Sequence, residues 1–113
     1  MARMSVDLIT SAGHEVDPLA VEQRLLVHPA VLDAVVVGRP DALRGEIVKA
    51  FVVLRPGIVA DESIDSELMR FVELRLPLHA APREIEFISV LPLNRAGEVD
   101  RLALGAGRSK GVL

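Results

Sequence analysis

VLDAVVVG at residues 31–38 and IVKAFVVL at residues 47–54 are β-branched and nearly free of charge. Each predicts a buried strand. Arg39-Pro40-Asp41 punctuates the first, Gly45 closes the loop between them, and Arg55-Pro56-Gly57 ends the second. Upstream, Asp17-Pro18 marks a helix start: Asp accepts from orphan backbone N–H groups, and Pro at the first helical position loses no bond it needs. Val16 and Val21 flank that cap at staple spacing. The helix should run to about residue 27 and stop ahead of His28-Pro29, because a residue before proline is pushed out of helical geometry.

Further outward, Val6-Asp7-Leu8-Ile9-Thr10 alternates, Ser11-Ala12-Gly13 turns, and His14-Glu15-Val16 returns, which predicts a small hairpin. Downstream, Ile64, Leu68, Phe71 and Val72 place one apolar stripe on a helix over about 63–76, ended by Pro77. EIEFI at 84–88 alternates as a half-buried strand, 92–97 is a polar loop, and 99–104 suits a last short helix. The order predicts an α/β (α+β) domain: a small mixed sheet of about three strands plus an N-terminal β-hairpin, with helices packed on the sheet.

The 113 residues are one domain's worth, 1–113, and half of them are hydrophobic. With no cysteine, disulfide scaffolds, zinc ribbons and thiol nucleophiles are excluded. Thirteen basic against sixteen acidic side chains, net −3, are too acidic and too mixed for a nucleic-acid or anionic-membrane binder. No apolar run approaches the roughly 18 residues of a membrane helix. Residues 1–7 hold no apolar signal core, so a cytoplasmic protein is expected. His14, His28 and His79 fit no zinc spacing, so no metal is expected; His28 and His79, at helix ends, read as cap or surface residues. Arg44-Gly45-Glu46 and Pro82-Arg83-Glu84 read as solvated ion pairs, each worth under about 1 kcal/mol. Gly13, Gly38, Gly45 and Gly97 are isolated and make no phosphate-cradling loop. Residue chemistry alone shows no catalytic site.

The string as a whole resembles a known family. Residues 7–18, DLITSAGHEVDP, followed by Val21-Glu22, resemble the segment that opens the C-terminal domain of adenylate-forming enzymes. In acyl-CoA synthetases it reads Asp-x-Ile-x-x-Ser-Gly-(Tyr/His)-Arg-Ile-x-Pro-x-x-Val-Glu. The likeness continues through His28-Pro29-Ala30-Val31, Val35-Val36-Val37-Gly38, Pro40-Asp41, Arg44-Gly45-Glu46 and the strand at 48–54, and resumes at 81–87 and Leu91-Pro92. It covers about residues 5–104, and its nearest flavour is the acetyl- and medium-chain acyl-CoA synthetase branch. The resemblance implies a mobile lid. In that family a larger N-terminal domain holds the substrate pocket, one lid orientation supports adenylation, and a rotation presents another face for thioester formation with CoA. These 113 residues hold no such larger domain, which leaves two expectations: a free-standing lid, separately encoded or excised, or a segment cut out for expression.

Departures from the family pattern bear on activity. Its catalytic lysine lies in Pro-x-(Thr/Ser)-x-x-Gly-Lys-(Ile/Val)-x-Arg; residues 92–101 here read PLNRAGEVDR, which puts Glu98 at the lysine position. The lysine offsets anionic charge where the carboxylate meets the α-phosphate. At ~4 Å and an effective dielectric near 20, a unit pair is worth about 4 kcal/mol, so glutamate turns attraction into comparable repulsion. Losing that much barrier lowering costs roughly a thousandfold in rate. The arginine used near the phosphate is Glu15 here, the hinge position falls on Val6, and the hinge-adjacent arginine falls on Met4. No catalytic residue is therefore carried over.

The thioester-forming face is better preserved. Ser11, Gly13 and His14 match the turn that approaches the CoA arm, Arg44 the loop that contacts its nucleotide, and Arg83 a stretch nearby. The resemblance thus implies a detached lid or accessory subunit of an adenylate-forming, acid–thiol ligase partner. It would be incompetent for adenylation alone, with no cofactor of its own beyond weak CoA contact. A split synthetase half that acts only at the thioester step is one variant. The alternative from another class is a repurposed interaction module, a homodimer joined through a sheet edge or an apolar face.

Overall fold

The two apolar runs pair with each other as one long hairpin. In the computed structural model, which describes residues 8–105, the elements follow as β1 (Ile9–Ser11), β2 (His14–Val16), α1 (Pro18–Leu26), β3 (Val31–Asp41), β4 (Gly45–Leu54), α2 (Glu62–Glu73), a 3-10 turn at Leu78–Ala80, β5 (Glu84–Phe87) and α3 (Arg101–Gly105). β3 lies antiparallel to β4 from Val31↔Leu54 to Asp41↔Gly45 and so occupies one whole edge of it. The other edge of β4 is shared. β1 meets it antiparallel at Ser11↔Gly45, and β5 runs parallel from Lys49↔Glu84 to Val52↔Phe87. The expected hairpin, β1 with β2, is therefore not an appendage to a three-stranded sheet but part of a single five-stranded mixed sheet.

β3 and β4 run further toward their shared turn than the sequence implied, straight through Pro40. The register explains why. Val36 turns its N–H and C=O away from β4, toward Glu22 and Arg101 side chains. Between Asp33 and Asp41 the register is unbroken, so Pro40 shares that outward parity and its missing N–H breaks no ladder bond. A register shift between Val31 and Asp33 then turns Val31 onto the face that carries Ala34 and Val36.

Both faces of this strand pair are covered. On one, Ala34, Val36, Val48, Ala50 and Val52 pack with Val21 and Leu25 of α1 and with Ile64, Leu68 and Val72 of α2. On the other, Val35, Val37, Phe51 and Val53 pack with Leu91, joined by the half-buried Ile88, Val99 and Leu104.

The helices begin where their caps dictate. Asp17 accepts from the Leu19 N–H at 3.0 Å and Asp61 from the Ile64 N–H at 3.1 Å. α2 stops at Glu73 rather than near 76, because the chain tightens: both Arg75 and Leu76 N–H bond the Val72 carbonyl before Pro77. α3 likewise starts at Arg101, two residues later than expected. His28 is a cap but not a surface residue. It is 5% exposed, its Nδ1 accepts from the Ala30 N–H at 3.0 Å, and its Nε2–H donates to Glu67 at 2.8 Å, which ties the end of α1 to α2. Among the described residues no helix is long and apolar enough to cross a membrane.

Leu68 is fully buried and Leu74, on the turn after α2, is 76% exposed. Leu68→Ala should lower unfolding stability by about 2–5 kcal/mol, and Leu74→Ala should stay within about 0.5 kcal/mol of the parent. Urea melts followed by far-UV circular dichroism measure both.

Candidate functional site

The turn between β1 and β2 is made by Ala12 (φ 52) and Gly13 (φ 84), the pair of positive φ values that a type I′ turn requires. It is held from below by the β3–β4 turn. The Ala12 N–H donates to the Arg44 carbonyl at 3.0 Å, and the Asp41 carboxylate receives the Leu43 and Arg44 N–H groups at 3.1 and 2.8 Å. Glu46 belongs to this support and is not merely a solvated partner of Arg44. Its carboxylate accepts from the Thr10 N–H at 2.9 Å and lies across Gly38, where a Cβ would come within 2.6 Å of it.

A cleft of ≈ 330 Å³ opens beside this turn, lined by Ser11, Ala12, His14, Arg44, Leu78, His79 and Arg83. Four of the five residues singled out from the sequence for a CoA face, Ser11, His14, Arg44 and Arg83, thus meet in one place, and Gly13 forms the turn at its rim. His79, expected as a cap or surface residue, is exposed and also lines the cleft. The 3-10 turn brings its ring onto that of His14, with centroids 4.2 Å apart and planes 14° from parallel. Nothing local in the sequence signals that pairing, because the two histidines lie on elements far apart in the chain. Arg83 is placed by its own backbone, whose N–H donates to the Val48 carbonyl at 2.7 Å. Two guanidinium groups, a hydroxyl and two imidazoles in one cleft suit an anionic ligand of phosphate type. Glu15, exposed on β2, follows His14 in the strand and is not among the residues that line the cleft.

A charged seam lies next to this cleft. Arg39 pairs with Glu84 at 2.6 Å, and the buried Lys49 pairs with Glu86 at 2.8 Å while its ammonium sits 4.8 Å from the Phe51 ring centroid. Glu84 is therefore shared by Arg39 and Lys49 rather than solvated next to Arg83. Among the described residues no cluster of three His, Cys, Asp or Glu side chains could hold a metal ion.

The 92–97 loop is a closed turn. The Asn94 side-chain oxygen accepts from the Ala96 and Glu98 N–H groups at 2.8 and 3.1 Å, the Asn94 N–H donates to the Glu98 carbonyl at 2.8 Å, and Leu93 bridges Val99. Glu98 is thereby presented at the surface. Val6 and Met4, the expected hinge positions, lie outside the described residues.

These features define a small α+β domain that carries a basic cleft and a hydrogen-bonded surface turn. The chain belongs to the AMP-binding enzyme C-terminal domain family, whose profile matches residues 20–98. It is 46% identical over 100 residues to the acetyl-coenzyme A synthetase of Bacillus subtilis (strain 168), covering 88% of this chain and 18% of that protein. It is 39% identical over 102 residues to the human mitochondrial acyl-coenzyme A synthetase ACSM1, again covering 88% and 18%. Among solved structures, Brucella canis acyl-CoA synthetase superposes with a TM-score of 0.84 at 46% identity, over 89% of this chain and 19% of that one. ATP-bound MatB from Rhodopseudomonas palustris gives 0.83 at 29%, over 92% and 20%. The chain thus spans about a fifth of the length of the relatives it matches.

At Gly13 a Cβ would meet nothing within 4 Å, so any penalty there comes from the backbone alone. Gly13→Val should cost about 1–3 kcal/mol, because a β-branched residue resists positive φ. It should also abolish proton–proton Overhauser contacts between the His14 and His79 rings, since the turn that aims His14 is rebuilt.

Proposed function

We propose that this domain acts as the lid of an adenylate-forming, acid–thiol ligase assembly, docking on a larger adenylate-forming partner. The convergence of Ser11, His14, Arg44 and Arg83 on one cleft carries this reading. The cleft receives the phosphate-bearing part of CoA, and its two arginines neutralise that charge. The named relatives are acetyl- and acyl-CoA synthetases five times longer, which is consistent with a partner that holds the acyl and nucleotide pockets.

In this reading the domain does not support adenylation as it stands. Glu98 occupies the place of the lysine that would meet the incoming carboxylate and α-phosphate, and its negative charge raises the barrier that a cation lowers. Thioester formation makes no demand on that position, so the cleft can serve the second half-reaction. A second reading, a self-associating interaction module, draws on exposed apolar side chains, above all Leu43 and Leu78 at 90% and 82% exposure. Sedimentation of a strictly monomeric species at high concentration would remove it.

The lid reading is tested by charge restoration. Glu98→Lys with Glu15→Arg, combined with the N-terminal domain of a related synthetase, should raise carboxylate-dependent pyrophosphate release by at least about a hundredfold over the unmodified chain. A double variant as inactive as the parent sinks the proposal. In a separate nuclear magnetic resonance titration with millimolar CoA, amide shifts should concentrate at Ser11–Glu15 and Arg44. They should weaken severalfold in Arg44→Ala and Arg83→Ala. Unmoved amides would remove the cleft from the function.

A further inference from the structure

Pro18, Val21, Glu22 and Leu25 are the buried residues of α1, so a glutamate stands in the middle of the helix's apolar stripe. Glu22 is 7% exposed, and such a carboxylate is tolerated only with partners. It has two. The Val36 N–H donates to one oxygen at 2.8 Å, and the Arg101 guanidinium reaches both oxygens, at 2.8 and 3.0 Å. Arg101 also donates to the Val36 carbonyl at 3.1 Å. One residue of β3 thus has both its backbone groups held by a carboxylate from α1 and a guanidinium from the segment that follows the 92–98 turn.

We propose that Arg101 is a positioning residue that fixes the orientation of residue 98 relative to the sheet. The turn is closed by its own hydrogen bonds, and its base by the Asp100 N–H on the Pro92 carbonyl at 2.9 Å. Leu91, Val99 and Leu104 seat it on the second apolar cluster, but apolar contact is non-directional and leaves the turn free to rock. The planar fork of Arg101, anchored on two oxygens of Glu22 and one of Val36, removes that freedom. Charge alone does not suffice. The Val36 N–H requires an acceptor from position 22 and the Val36 carbonyl a donor from position 101, so the latch has a polarity.

The importance of residue 98 rests on the lid reading, whereas the latch is tested without any activity. Backbone 15N relaxation is measured at Ala96, Gly97 and Glu98, with amide exchange at Val36 and, as a gauge of global stability, at Val48 and Val52. In Arg101→Met the turn amides should lose order and Val36 exchange should rise at least tenfold more than that of Val48. Glu22→Gln, which keeps an oxygen for Val36, should loosen the turn while leaving Val36 protected. Arg101→Lys should restore part of the order. Leu68→Ala, which destabilises the other face, should leave the turn unchanged. A turn as ordered in Arg101→Met as in the parent, or loosened equally by Leu68→Ala, overturns the proposal. So does recovery of full order in the swap Glu22→Arg with Arg101→Glu, since a charge pair without polarity would then be enough. Should Arg101→Met not fold, Arg101→Lys and Glu22→Gln carry the same comparison. Failure of the pyrophosphate assay would leave these readouts untouched, so the two ideas fall separately.

Discussion

A strand pair with apolar side chains on both faces cannot leave either face in water, and the rest of this molecule follows from that constraint. Val36, Ala50 and Val52 require the two helices; Val35, Phe51 and Val53 require something else on the far side. Among the described residues there is no third long helix, and the segment from Ile88 to Leu104 serves instead. The turn that presents Glu98 is therefore no loose appendage. It is the end of a segment that folding needs as a wall of the second core, and core packing sets its height above the sheet. The place of residue 98 is set by a structural obligation.

The far face is not uniformly apolar. Pleat parity puts Arg39, Lys49, Glu84 and Glu86 on the same side as Val37 and Phe51, beyond the reach of the covering segment. Lys49 buries its stem against this face and keeps its ammonium on Glu86 and near the Phe51 ring. The sheet passes from an apolar half to a charged half within one turn's width, and the basic cleft begins where Arg83 leaves that seam.

What could be read in advance divides along the same physical line. The strands, the two capped helices and the hairpin were legible because each is declared by local chemistry: β-branched runs, Asp17-Pro18, the stripe from Ile64 to Val72. Three things were not. Pro40 reads as a stop, since a sequence does not say which way its nitrogen faces in the ladder. The joining of β1 to β4 depends on one backbone pair and on Glu46 crossing Gly38, and neither has a periodic signature. The stacking of His14 on His79 is a product of tertiary placement alone. Four of the cleft residues were reachable through resemblance, which supplies the three-dimensional neighbourhood that spacing lacks. Glu22 entered only through the resemblance, and its need for a partner becomes visible once its place on the buried stripe of α1 is known.

Buried ion pairs seldom add much net stability, because desolvation offsets most of the attraction. The Glu22–Arg101 pair is better understood as specifying one arrangement. By occupying both backbone groups of Val36 it closes the outer edge of β3 at its middle, where an open β-branched strand would invite pairing with another chain. The same bonds hold the segment leading from position 98. At that position the structural work is done by the backbone, whose N–H and carbonyl are both taken by Asn94, while the side chain is turned to solvent. The ion pairs of the described residues involve neither Glu15 nor Glu98. The fold is thus indifferent to the sign of charge at both places. A lysine or a glutamate at 98 would stand on the same turn, held by the same latch, and the choice between them is governed by what approaches that surface rather than by what lies beneath it.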